Sequence, residues 1–348
     1  MVMTDLGVSL EHRSAREVLG WSRARVDPAL RKAVDRLPDS MRAVAGYHFG
    51  WWDEEGRPTG ADPGKAIRPA LALLGAQAVG GAAQTALPAA VAVELVHNFS
   101  LLHDDVMDGD TTRRHRPTAW HVFGVNPAIL AGDALLTLAL DVVAGSGHPK
   151  AQEAIRVVSA AVQRLLDGQS ADLSFEQRGD VRLAECVRMA VGKTGSLLGA
   201  SCALGALFGG GRPDQVEHLR SFGEEVGLAF QFVDDLLGIW GDPEVTGKPV
   251  YSDLENRKKS LPVVAALTSD TPAARELDSL YHAERQLTRS DLAHAAELIE
   301  LSGARAWSQG RADDLVESAR EHLRAAEPTE RAARELDAVA RLATHRDR

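Results

Sequence analysis

Two acidic clusters, His103-Asp104-Asp105-Val106-Met107-Asp108 and Gln231-Phe232-Val233-Asp234-Asp235, each close a long apolar stretch with helical periodicity. Aspartates repel one another, and burying several together is costly unless cations or hydrogen bonds compensate. A chain of this kind must therefore bring the ends of buried helices together around compensating charge. On a helix, positions i, i+1 and i+4 share one side, so Asp104, Asp105 and Asp108 are expected to form one cluster of oxygen ligands. Two facing clusters suit Mg²⁺, which takes carboxylate and water oxygens together with phosphate oxygens. The pattern points to diphosphate chemistry.

The rest of the chain reads as helix. Ala and Leu dominate, and alternating β-branched runs bounded by tight hairpin turns are missing. Helices are expected over roughly residues 14–35, 39–50, 65–79, 85–107, 127–144, 150–176, 181–208, 213–240, 259–268 and 272–282, with three more after 289. Gly80-Gly81, Gly145-Ser146-Gly147-His148-Pro149 and Gly209-Gly210-Gly211-Arg212-Pro213 are helix stops followed by fresh starts. The expected architecture is one all-α domain over residues 14–348, long helices around a central cavity, preceded by a flexible extension over 1–13. The tail from Thr329 reads as a solvated capping helix, and Trp51 and Trp52 as core aromatics.

Composition narrows the function. At 348 residues, 45% hydrophobic, the chain can bury a large core, and its net charge of −10 argues against a nucleic-acid partner, whose phosphates it would repel. Cys186 and Cys202 make no disulfide framework. The uncharged run from Pro69 to Val93 has the length of a membrane span, but Gly75, Gly80, Gly81, Gln84 and Pro88 divide it into two core helices. With no transmembrane segment and no signal-peptide pattern, a cytoplasmic protein is expected.

Cations bracket the acidic clusters. Arg113 and Arg114 follow the first, and guanidinium forks onto phosphate oxygens, so the pair suits two diphosphates side by side. Lys65 and Arg68 are expected one turn apart at a helix start, where backbone N–H groups also favour anions. Lys193-Thr194 lies in a helix, and Lys248 and Lys258 follow the second cluster. Glu94 and His97 have the Glu-x-x-His spacing of a di-iron bundle, but no second such pair occurs, and a neutral, hydrogen-bonding His97 is expected instead.

These residues resemble the trans-isoprenyl diphosphate synthases, or polyprenyl synthetases, in motif order from about Gly64 to Pro262. Val96 to Asp108 looks like the family's first aspartate-rich motif, and Arg113-Arg114 with Pro117-Thr118 like its continuation. Phe230 to Asp235 looks like the second motif, and Gly247-Lys248-Pro249, Ser252-Asp253-Leu254 and Lys258 like its tail. The resemblance implies a Mg²⁺-dependent prenyltransferase with three ions per site, held by Asp104, Asp105, Asp108 and Asp234. Arg113, Lys193, Thr194, Gln231, Lys248 and Lys258 would contact the allylic diphosphate, and Lys65, Arg68, His97 and Arg114 isopentenyl diphosphate. Asp235 is either a metal ligand or a supporting contact. A homodimer is implied as well. Phe99, with Ser100 beside it, would floor the prenyl cavity and set a twenty-carbon, geranylgeranyl product, with a fifteen-carbon farnesyl product as the alternative.

The chain departs from the family pattern at three positions. Gly238 replaces the usual third aspartate of the second motif, Ala66 a frequent arginine, and Tyr251 a usual glycine. Asp234, Gly238 and Asp242 also fit a loose metal motif of class I terpene cyclases, which would leave Lys65, Arg68, His97 and Arg114 unexplained. A third alternative, a non-catalytic subunit of a heteromeric prenyltransferase, would be expected to lose the first aspartate cluster, which is complete here.

Overall fold

Ser14 opens the first helix through a reciprocal cap: its Oγ accepts from the Glu17 amide, and the Glu17 carboxylate accepts from the Ser14 amide at 2.7 Å. The apolar positions Val18, Val26, Leu30 and Val34 then recur at multiples of four and are buried together. The computed structural model describes residues 12–61, 64–243, 250–283 and 285–344. Its elements are α1 (Ala15–Val34), α2 (Asp39–His48), α3 (Ile67–Ala78), a 3₁₀ turn (Ala83–Ala86), α4 (Leu87–Met107), β1 (Thr112–Arg113), β2 (Arg116–Pro117), α5 (Ala119–Phe123) and α6 (Val125–Ala144). They continue with α7 (Ala151–Glu176), α8 (Leu183–Ala190), a π-helical turn (Val191–Gly195), α9 (Ser196–Phe208) and α10 (Pro213–Trp240). The last are α11 (Ser252–Glu255), α12 (Leu261–Leu267), α13 (Pro272–Tyr281), α14 (Arg289–Leu301), α15 (Ala304–Ala325) and α16 (Glu330–Thr344). The fold is all-α, and the short β1–β2 pair is the only sheet among the described residues.

Helix α9 is the centre. Every residue from Ser196 to Phe208 is buried, and α3, α4, α7 and α10 pack around it. Two of these crossings are backbone-to-backbone. A Cβ on Gly205 would collide with the Ala72 carbonyl of α3, and one on Gly223 of α10 would lie 2.5 Å from the Leu198 carbonyl of α9. Helix α4 lies on α6, and α10 is covered on its far side by α15.

Several expectations change in detail. The helix expected from 65 starts at Ile67, because Ala66 is left-handed at φ 51°, so Lys65 stands outside it and shares no helical face with Arg68. The helix expected over 181–208 is divided by the π turn at 191–195. Arg13, assigned to the flexible extension, is tied down by Glu335 at 2.5 Å and Gln77 at 3.2 Å. The C-terminal helix is not solvated: α16 buries Leu336, Val339, Ala340 and Ala343 in a core with α3 and α10. Trp51 and Trp52 are half-buried against the main core, Trp51 stacked on Phe49. The run from Pro69 to Val93 does divide, at the turn between α3 and α4.

Overpacking a tight crossing typically costs ~1–3 kcal/mol. Gly205→Ala should fall at the upper end, since the obstruction is a main-chain carbonyl rather than a movable side chain. Denaturant midpoints at equal m-value measure this, and an unchanged midpoint would show that α3 and α9 can separate freely.

Candidate active site

The two acidic clusters arrive where α4 and α10 end. Asp104 and Asp105 occupy the last turn of α4, and Asp108 caps it. The three do not form a single ligand face. Asp105 is buried and accepts from Arg113 Nε at 2.6 Å, whereas Asp104 is half-buried and Asp108 exposed. Burial pushes the carboxyls of Asp104 and Asp105 up to about 6, against the pull of Lys193 and Arg113 respectively. Asp108 is raised for the same reason, with Lys193 and Lys258 opposing. The first cluster therefore faces two lysines from other elements.

Those lysines are held by carboxylates of their own. Lys193 sits on the π turn and donates to Asp172 of α7 at 2.7 Å. Lys258 Nζ lies 3.9 Å from Asp253. A relay runs beneath them: Thr194 Oγ1 donates to Gln231 Oε1 at 2.7 Å, and Gln231 Nε2 donates to Asp235 Oδ1 at 2.8 Å. The Leu261 amide donates to Asp235 Oδ2 at 2.8 Å. Both oxygens of Asp235 are thus engaged in joining α10 to the start of α12, which makes it a supporting contact rather than an open ligand. Asp234, the neighbour on α10, is half-buried. Lys248 lies outside the described residues.

A second group, built around arginines, stands beside the first. The hairpin β1–β2 turns through Arg114 and His115, both left-handed at φ 51° and 61°. Non-glycine residues in that region cost on the order of 1 kcal/mol each. Arg116 holds the hairpin down by donating to the carbonyls of Tyr47 and Trp52 at 3.1 and 3.2 Å, and Tyr47 Oη donates to the Pro117 carbonyl at 2.9 Å. Arg113 is thereby delivered to Asp105, while the Arg114 guanidinium lies over Gly64, beside Lys65. Burial lowers His97 well below its ordinary range, and Arg68, Arg114 and Arg113 add to the effect, so His97 is neutral. Burial also lowers Arg68, to about 10, with Glu94 opposing. Glu94 is therefore the counter-charge of Arg68 and accepts from Asn98 at 3.1 Å; it is not half of a metal pair.

Phe99 is buried on α4, edge-on to His103 at 4.8 Å, and Ser100 donates to the His97 carbonyl at 2.8 Å. Two residues here were missed by sequence reasoning. Asp172 looks like one more polar position on an amphipathic helix. His48 carries no motif, yet burial, Arg113 and Arg114 push it down to about 3, and its Nε2 is buried without a hydrogen-bond partner.

The donor set fits a hard divalent cation. Asp105 Oδ2 is buried without a partner, and burial raises the neighbouring Asp104 carboxyl despite Lys193 and Arg113. Among the described residues no three His, Cys, Asp or Glu converge to hold an ion unaided. An ion here must bring other oxygens, as Mg²⁺ does with water and phosphate.

Comparison with known proteins gives a concordant picture. Residues 57–299 match the family model described as polyprenyl synthetase. The chain is 50% identical over 303 residues to a (2E,6E)-farnesyl diphosphate synthase of Mycobacterium tuberculosis, covering 86% of this chain and 84% of that one. It is 45% identical over 319 residues to a geranylgeranyl diphosphate synthase of the same organism, covering 91% and 89%. The crystal structure of a polyprenyl synthetase from Streptomyces coelicolor A3(2) superposes with a TM-score of 0.90 at 46% identity, covering 94% and 98%.

The raised carboxyls set a pH dependence. A carboxyl at about 6 when folded, against 3.8, keeps a proton that the unfolded chain releases, so stability falls as pH rises through that interval. In EDTA, Asp104→Asn should raise the melting temperature at pH 7.5 and leave it unchanged near pH 4, where Asp104 is itself neutral. A variant less stable than wild type at pH 7.5 would contradict the burial penalty.

Proposed function

Because the chain belongs to the polyprenyl synthetase family, we propose that it condenses isopentenyl diphosphate with allylic diphosphates to a twenty-carbon, geranylgeranyl product. The observation that carries this is the pairing of two unlike anion sites: one mixing carboxylates with Lys193 and Lys258, the other made of Arg68, His97 and Arg114. A diphosphate that arrives with Mg²⁺ suits the first, and a metal-free diphosphate suits the second. An enzyme that folds one allylic diphosphate on itself has no use for the second.

Asp104, Asp105, Asp108 and Asp234 would hold the ions, as the family's dependence on Mg²⁺ requires. When bound, Mg²⁺ neutralises charge on the departing diphosphate. Arg113, Lys193 and Lys258 place further positive charge where that negative charge accumulates, and Gln231, oriented by Thr194, offers its second amide hydrogen. Lys248 takes the same role by resemblance. Lys65, Arg68, Arg114 and neutral His97 orient isopentenyl diphosphate so that its double bond meets the ionised carbon. The apolar faces of the surrounding helices keep water from that carbon.

Product length rests on Phe99. Its ring lies five residues before Asp104, where a growing chain directed along α4 would meet it. A farnesyl product is the second reading, favoured by the 50% identity to the farnesyl diphosphate synthase. A cytoplasmic homodimer fits the exposed apolar face of α6, where Val125 and Leu130 are 44% and 51% exposed.

Purified protein with Mg²⁺, isopentenyl diphosphate and, separately, dimethylallyl, geranyl and farnesyl diphosphates should yield a twenty-carbon linear alcohol after dephosphorylation. A cyclic hydrocarbon formed without isopentenyl diphosphate would overturn the condensation reading. Phe99→Ala should lengthen the product by at least one five-carbon unit, and an unchanged distribution would remove Phe99 from that role.

A further inference from the structure

A cavity of about 30 Å³ lies between the end of α2, the last turn of α4 and the β1–β2 hairpin, with Tyr47, His48, Asp105 and Arg113 among its walls. A water molecule needs roughly 10–15 Å³. Most polar groups of the wall are engaged. Tyr47 Oη donates to the Pro117 carbonyl, Arg116 to the carbonyls of Tyr47 and Trp52, and Thr118 Oγ1 to the Asp110 carbonyl at 2.8 Å. Arg113 Nε and Asp105 Oδ1 satisfy each other. The side-chain atoms of this wall that are buried without a partner are His48 Nε2 and Asp105 Oδ2. Two orphaned polar atoms from different elements thus border one water-sized space, and leaving either unpaired is costly.

The hydrogens decide what can fill that space. Asn98 Nδ2 donates to the Glu94 carbonyl and carboxylate at 2.8 and 3.1 Å, which leaves Asn98 Oδ1 as an acceptor. His48 hydrogen-bonds to Asn98 while its Nε2 has no partner, so Nδ1–H is the donor. His48 Nε2 is then a bare lone pair, as Asp105 Oδ2 is. A phosphate oxygen is a third acceptor and satisfies neither. Arg113, Arg114 and Arg116 around the space disfavour a cation. A water molecule donates to both atoms at once. Asp105 Oδ2 keeps a further lone pair for an ion.

Resting on the functional reading above, we propose that His48 is a positioning residue: with Asp105 it holds one buried water, and through that water it fixes the carboxylate that aims Arg113 at the allylic diphosphate. Its other nitrogen reaches Asn98, and through Asn98 the Glu94 carboxylate beside Arg68. One imidazole ring therefore stands between the arginines of the two anion sites.

The test joins crystallography to steady-state kinetics, with melting temperatures alongside. Crystals of the wild-type protein should show one water within hydrogen-bonding distance of both His48 Nε2 and Asp105 Oδ2. An asparagine amide falls near the place of Nδ1 and a glutamine amide near that of Nε2, so the two variants divide the functions of the ring. His48→Asn should raise KM for geranyl diphosphate about tenfold, as groups that support a metal site typically do. KM for isopentenyl diphosphate and the melting temperature should change little, and a smaller active fraction raises no KM. His48→Gln should recover most of the loss, which a merely structural histidine would not allow. The absence of that water, an unchanged KM for geranyl diphosphate in His48→Asn, or equal increases in both variants would overturn the proposal. The wild-type crystals decide alone if His48→Asn does not fold. A protein that holds the water but joins no isopentenyl unit to geranyl diphosphate would instead overturn the functional reading.

Discussion

The close approach of α9 to its neighbours is the constraint on which the other elements depend. A helix buried on every side must meet several partners at once, and ordinary side chains would keep them roughly 8–10 Å apart between axes. At Gly205 and Gly223 the backbones touch instead, so α3 and α10 are set against α9 by main-chain contact, with little freedom to slide. That matters for chemistry because α10 carries Asp234 and Gln231, while the π turn just before α9 carries Lys193 and Thr194. The 2.7 Å hydrogen bond from Thr194 to Gln231 spans these two rigid pieces. The geometry of the polar site is inherited from the packing of the apolar one.

Electrostatics divides the cavity into regions of opposite character. On one side, burial raises the carboxyls of Asp104, Asp105 and Asp108, with Lys193, Arg113 and Lys258 opposing. On the other, burial holds His97 and His48 neutral, with Arg113 and Arg114 adding to the effect on both. Each region is compensated in part: Arg113 by Asp105 in the first, Arg68 by Glu94 in the second. The hairpin that separates them is strained at Arg114 and His115, and Arg116 and Tyr47 hold it in place. Strain, partly compensated charge and a buried neutral histidine coincide in one small region, where they serve binding at the expense of stability.

Much of this was legible in the sequence, for identifiable reasons. Aspartates ending apolar helices and an arginine pair after them are improbable in a plain core, so Asp104, Asp105, Arg113 and Asp234 declare themselves by residue type. The helices were legible because an apolar period of 3.6 needs no tertiary information. Other features escaped because their cause lies in another part of the chain. The hairpin turns on Arg114-His115, without the Asn-Gly or Asp-Gly that marks such turns. Helix α3 starts two residues late because Ala66 adopts a conformation that alanine seldom does. Asp172 is one polar residue on an amphipathic helix until Lys193 is placed against it.

The π turn at 191–195 bears on how this chain can change length. A π turn accommodates one residue more than the α-helix around it, and each residue of an α-helix advances about 100° around the axis. Cys186 and Ala190 before the turn are buried, and Gly205 after it must face the Ala72 backbone, so the two phases must agree across it. Deleting a single residue there would restore an unbroken α-helix, and yet one flanking half would rotate its buried side away from the interior. The extra residue works as a phase adjuster. A change of length by one residue here alters the phase of the flanking helices, which the same change in a loop does not.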